Sequence, residues 1–98
     1  MEANFTFRNA EATEALRGHA LDKLSKLDKY LPKPVNAHII FKVEGFRHLV
    51  EIAFQSNGIR YFGKAESNDM YTSIDDAVTR IEHQLRKSKE RIKGHKGE

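Results

Sequence analysis

The chain has 98 residues, 39% hydrophobic and 32% charged, which is the size and balance of one domain with a modest core. It is too apolar to be a disordered tail, has no apolar run near the ~20 residues of a membrane span, and lacks the basic-then-apolar start of a signal peptide. The absence of cysteine excludes disulfides and thiolate metal sites, and a net charge of +3 is only mildly basic.

Residues 3–8 predict a short strand with Ala3, Phe5 and Phe7 on one face. Thr13 predicts a helix N-cap with Glu14 in the first turn. Leu16, Ala20, Leu24, Leu27 and Leu31 then recur at steps of three and four as one apolar stripe, which Pro32 and Pro34 bring to an end. Residues 35–44 alternate strictly, with Ala37, Ile39, Phe41 and Val43 on one face and His38, Lys42 and Glu44 on the other. Gly45 marks a turn, and Val50, Ile52 and Phe54 define the next strand. Asn57-Gly58 signals a two-residue hairpin, because both positions tolerate positive φ. The strand from Ile59 to Glu66 sets Tyr61, Gly63 and Ala65 on one face, two of them small enough for a helix to pack closely. Ser67, Asn68 and Asp69 cap a last helix whose stripe runs through Ile74, Ala77, Val78, Ile81, Leu85, Ser88 and Ile92.

The order β-α-β-β-β-α implies a right-handed parallel crossover followed by antiparallel hairpins. Both helical stripes need apolar cover, and one face of a four-stranded mixed sheet supplies it. The expected fold is therefore a two-layer α+β sandwich with both helices on one face. The expected organisation is a single domain over residues 1–93 and a flexible tail over 94–98. Asn4, Thr6, His38, Lys42, Glu51, Gln55, Arg60 and Lys64 give the other face a polar surface. Ile40, Leu49 and Phe62 make a small apolar patch there, in keeping with ordinary exposed surface.

No serine sits in a nucleophile elbow, and Asp75 and Asp76 point about 100° apart on a helix. His19, His38, His48, His83 and His95 show no metal-binding spacing, although His38 and His48 come near each other if their strands pair. No glycine-rich loop opens a helix. The chain is expected to be no enzyme and to take no metal or cofactor.

Basic charge is concentrated at one end. Residues 80–98 hold seven Lys/Arg against three Asp/Glu, leaving the rest of the chain at −1. On a wheel of the last helix, Arg80, Lys87 and Arg91 fall on one flank of the stripe, and Arg86, Lys89 and Lys93 on the other. His83 and Glu90 occupy the outer crest. On the first helix Lys26 and Lys29 point outward, and Lys23 flanks the stripe beside Tyr30. Two such helices side by side form a cationic plane that fits phosphate, because each Lys or Arg set against one releases condensed counterions. The alternative is a solvated face whose lysines merely suit the helix dipole. No aromatic interleaves these ridges, so base stacking is not expected from them.

The segments RNAEATEALR (8–17), KLSKLDKY (23–30), NAHIIFKVE (36–44), AESNDMYTSID (65–75) and QLRKSKERIKGH (84–95) resemble the short ribosome hibernation-promoting factors. The same family includes the ribosome-associated translation inhibitor and carries the older label of sigma-54 modulation proteins. The resemblance spans residues 1 to about 95. It implies two parallel helices on one sheet face and binding to ribosomal RNA of the small subunit, in the channel for messenger RNA and the A- and P-site transfer RNAs. It further implies translation inhibition in stationary phase, a cytoplasmic location and a monomer when free. With neither an inhibitor-type tail nor an extra domain after Glu98, the chain is expected to be the short type that promotes inactive ribosome dimers. The family's basic positions match Lys23, Lys26, Arg80, Lys87, Lys89 and Arg91, and His83 stands where relatives often carry arginine. One alternative is a stand-alone double-stranded-RNA-binding protein, whose α-β-β-β-α outline is similar, and another is a metal-dependent enzyme or a protein-interaction adaptor working through the polar sheet face.

Overall fold

The computed structural model describes the backbone of residues 1–96 and the side chains of residues 1–88. The elements are β1 (Glu2–Arg8), α1 (Glu14–Ser25), a 3-10 turn (Asp28–Tyr30), β2 (Asn36–Glu44), β3 (Arg47–Ser56), β4 (Ile59–Ser67) and α2 (Met70–Lys96). The sheet order is β1-β2-β3-β4, with β1 parallel to β2 and the other pairs antiparallel. This is the expected mixed sheet with both helices on one face. The tail expected over 94–98 lies outside the residues whose side chains are described.

Register decides what is buried. Phe5 lies opposite Ile39, Ile39 opposite Ile52, and Ile52 opposite Gly63. The neighbouring inner row is Phe7, Phe41, Val50 and Ala65, with the Phe7 and Phe41 rings stacked at 4.7 Å. On this one face, Leu16, Ala20, Leu24 and Leu27 cover the β1 end of these rows, and Ile74, Ala77, Ile81 and Leu85 the β4 end. Burial of this kind contributes roughly 1.5–3 kcal/mol for each large side chain.

Gly63 sets the distance between α2 and the sheet. A Cβ there would stand 2.6 Å from the Ala77 carbonyl oxygen and 2.8 Å from Ile81 Cγ1, so only glycine admits the helix this closely. At the start of α2, Asp69 Oδ2 accepts the Thr72 N–H at 3.1 Å and the Thr72 hydroxyl at 2.9 Å. Ser73, fully buried, donates its hydroxyl to the His48 carbonyl at 2.7 Å and ties this first turn to β3. Asn57 (φ 52°) and Gly58 (φ 75°) form the left-handed turn that their sequence announces.

Three expectations need correction. The first helix does not run to Leu31: α1 ends at Ser25, and a separate 3-10 turn follows. Ser25 donates its hydroxyl back to the Asp22 carbonyl at 2.7 Å, while the Lys26 and Leu27 amides bond three residues back, to Lys23 and Leu24. That tightening ends the α-helix yet still delivers Leu27 to the core. His38 and His48 do not meet. His38 points to the outer sheet face, 3.0 Å from Thr6 Oγ1, and His48, opposite Val43, points to the helices. Leu49 lies on the outer face between Lys42 and Glu66 but is only 4% exposed, so it adds little to an apolar patch.

Candidate nucleic-acid interface

α1 and α2 run in the same direction; one polar contact joins them directly, and two more tie the 3-10 turn after α1 to α2. His19 Nε2 lies 2.7 Å from Asp75 Oδ1. The Tyr30 hydroxyl donates to Glu82 Oε2 at 3.2 Å, and Arg86 Nε donates to the Tyr30 hydroxyl at 3.1 Å. The Arg86 guanidinium also stands 3.5 Å from Glu82. The His19 ring meets the edge of Tyr71 at 5.1 Å. Locked in this way, the outer surfaces of the two helices form one plane.

Lys23 and Lys26 line the groove between the helices together with Asp75, Thr79 and Glu82. The two carboxylates were missed when only cations were placed on the wheel, although Asp75 and Glu82 fall on the same flank as Arg86. Neither forms an ion pair with these lysines: Asp75 is bonded to His19 and Glu82 to Tyr30 and Arg86, although both keep their charge in the groove. Among the described residues Lys23, Lys26, Lys29 and Lys87 enter no ion pair. Lys29 sits with its ammonium 5.3 Å from the centre of the Tyr30 ring. His83 is exposed on the outer crest of α2.

The two flanks of α2 therefore do different things. Arg86 faces α1. Arg80 and Lys87 lie on the flank above the free edge of β4, where the Arg80 guanidinium donates to the Lys64 carbonyl. One turn on, Gln84 clasps Phe62 from both sides: its Oε1 accepts the Phe62 N–H at 3.2 Å, and its Nε2 donates to the Phe62 carbonyl at 2.6 Å. Side chains of α2 thus close an edge that would otherwise present unpaired backbone groups. α2 continues as helix through Lys89, Arg91 and Lys93, whose side chains lie outside the described residues.

The shifted ionisations lie away from the plane. The Thr72 hydroxyl and amide hold the Asp69 carboxyl below its ordinary value. On the outer sheet face, hydrogen bonding to Arg47 holds the Glu66 carboxyl down. Among the described residues no group of His, Cys, Asp or Glu could hold a metal ion, and no helix is long and apolar enough to cross a membrane.

The chain and its fold are similar to those of known proteins. The ribosome hibernation promoting factor of Escherichia coli K12 is 35% identical over 95 residues, spanning 97% of this chain and all of that protein. The factor of the same name from Salmonella typhimurium is 34% identical over the same shares. The crystal structure of the Thermus thermophilus Protein Y N-terminal domain superposes with a TM-score of 0.82 at 30% identity, covering 89% of this chain and 98% of that one. A ribosomal subunit interface protein from Coxiella burnetii gives 0.79 at 29% identity, over 91% and 98%. The family model described as sigma 54 modulation protein / S30EA ribosomal protein matches residues 3–93, and the chain belongs to that family.

Proposed function

We propose that this protein is a ribosome hibernation factor of the cytoplasm. In this reading the domain over residues 1–93 docks on small-subunit ribosomal RNA, in the channel that takes messenger RNA and the A- and P-site transfer RNAs. It blocks translation in stationary phase and promotes inactive ribosome dimers. The observation that carries the reading is the side-by-side pair of helices, with Lys23 and Lys26 lining their groove, Lys29 in the turn after α1 and Lys87 on the far flank of α2, none of them in an ion pair among the described residues. The names of the similar proteins from Escherichia coli and Salmonella support it.

The mechanism is occupancy, with no bond made or broken. A preformed plane binds phosphates without paying for loop ordering, and it displaces RNA that needs the same space. Phosphate contacts carry no sequence information, so shape and charge select the site and affinity falls steeply with salt. Arg80 is held by the Lys64 carbonyl and Arg86 by Tyr30 and Glu82, so these two arginines brace the helices while the lysines meet phosphate.

Sedimentation of ribosomes with and without the protein tests this reading. The protein should travel with small subunits, be displaced by transfer RNA and increase the dimer fraction. Equal binding to any RNA duplex, unaffected by transfer RNA, would instead identify a stand-alone double-stranded-RNA-binding protein.

A further inference from the structure

The register of the outer sheet face gathers a second cationic strip on β4. Arg60, Phe62 and Lys64 alternate along this strand, so all three side chains point away from the helices, and all three are exposed, Phe62 by 41%. Across the strand pair they face Gln55, Ala53 and Glu51 respectively. Ala53 offers only a methyl group, which leaves the Phe62 ring uncovered on that side. Two other cations of this face are compensated, Lys42 by Glu44 at 3.7 Å and Arg47 by Glu66 at 2.6 Å, while Arg8 lies on β1, at the opposite edge of the sheet from β4. Arg60 and Lys64 enter no ion pair among the described residues, although Glu51 stands opposite Lys64 and the charge of Lys64 helps to hold down the Glu66 carboxyl two residues on. An exposed aromatic ring is thus flanked on both sides by cations, about 6.8 Å of strand away in each direction.

Two features choose the partner. Strand addition at this edge is blocked, because Gln84 occupies the Phe62 backbone and Arg80 the Lys64 carbonyl. The same two residues belong to the flank of α2 that carries Lys87, so the strip is continuous with the helical cationic plane around the edge of β4. An RNA strand following Arg80 and Lys87 reaches Phe62 by turning that edge. A base on the ring leaves its flanking phosphates within reach of Arg60 and Lys64, the pairing of aromatic and cation that single-strand binders use.

We infer that the Arg60-Phe62-Lys64 strip of β4 is a second RNA contact, on which an unpaired nucleotide stacks its base against Phe62. This rests on and deepens the proposed function by naming the kind of RNA that the sheet edge takes, and its first test does not need ribosomes. The probe is a fluorescent, unstructured single-stranded RNA dodecamer, titrated with the full chain. Phe62→Leu keeps apolar area and removes the π-face, and should weaken binding by about 5- to 150-fold, the loss of one base stack. Phe62→Trp should bind at least as well as wild type, which shows that the position tolerates change. Arg60→Ala and Lys64→Ala should each lower the salt slope by ~0.7. Failure of wild type to bind the dodecamer overturns the inference, as does Phe62→Leu binding within about twofold of wild type. Small-subunit binding kept by Phe62→Leu but lost by Phe62→Ala marks a protein contact, which overturns it too. The two proposals fail separately. Dodecamer binding through Phe62 without sedimentation on small subunits sinks the hibernation reading alone, whereas sedimentation with an indifferent Phe62→Leu sinks this one alone.

Discussion

Gly63→Ala should destabilise the fold even though it replaces a strand glycine with a residue of lower chain entropy. The added Cβ would lie 2.6 Å from the Ala77 carbonyl oxygen, and ordinary contact begins at 3.4 Å, so α2 must retreat by about 0.8 Å at that turn. The obstructing atom is helix backbone and cannot rotate away. Ile81, whose Cγ1 would stand at 2.8 Å, is fully buried and has no free space to enter. Overpacking of this kind costs ~1–3 kcal/mol, offset by ~0.4–1 kcal/mol from the less flexible unfolded chain. The net loss is about 1–2 kcal/mol, a fall in Tm of roughly 5–15 °C for a domain of this size. Gly18→Ala is the internal control. It changes the unfolded chain in the same way, but its Cβ meets nothing within 4 Å, so in the helix it should stabilise by ~0.5–1 kcal/mol. Urea unfolding of the three proteins at equal concentration, with unchanged m-values, separates the cases. A Gly63→Ala protein as stable as wild type would refute the close approach of α2 to β4.

Other outcomes follow from single contacts. Gln84→Ala removes both side-chain bonds to Phe62 at an exposed edge and should cost ~1 kcal/mol in urea unfolding. It should also make β4 a site of concentration-dependent self-association, read by analytical ultracentrifugation. Asp69 has a folded-state pKa depressed below its ordinary value of 3.8 by the Thr72 hydroxyl and then the Thr72 amide. Its contribution to stability is therefore fully present above that value and is lost as pH falls through the folded-state pKa. Asp69→Asn keeps a capping oxygen but not the charge, so Tm should fall modestly near pH 7, the difference should shrink at low pH, and the acid limb of the Tm–pH curve should become flatter.

Most of the architecture was legible because it is encoded locally. The alternation of residues 35–44, the Asn57-Gly58 turn and the smallness of Gly63 and Ala65 each fix their neighbourhood without help from the rest of the chain. The end of α1 was not legible, since Leu27 and Leu31 continue the stripe whether the backbone is α or 3-10, and the choice falls to Ser25 and the amides around it. Opposite faces for His38 and His48 could have been read from the tight turn at Gly45 and Phe46, which pairs Glu44 with Arg47 and so places His48 across from Val43. At the candidate interface, helical wheels found the cations. They could not find Arg80 and Gln84 on the β4 backbone, because those contacts depend on how far along the sheet the helix lies. Arg60, Phe62 and Lys64 are invisible on a helical wheel, because on a strand the relevant period is two.

The central claim is that the plane of α1 and α2 meets ribosomal RNA through its phosphates, and the salt dependence of small-subunit binding tests it most directly. Binding constants for wild type and for Lys23→Ala, Lys26→Ala and Lys87→Ala, measured over a range of potassium salt, give the slope of log K against log salt. Wild type should show a steep negative slope, and each substitution should make it shallower by about one unit. Unchanged slopes in variants that remain folded would contradict the account.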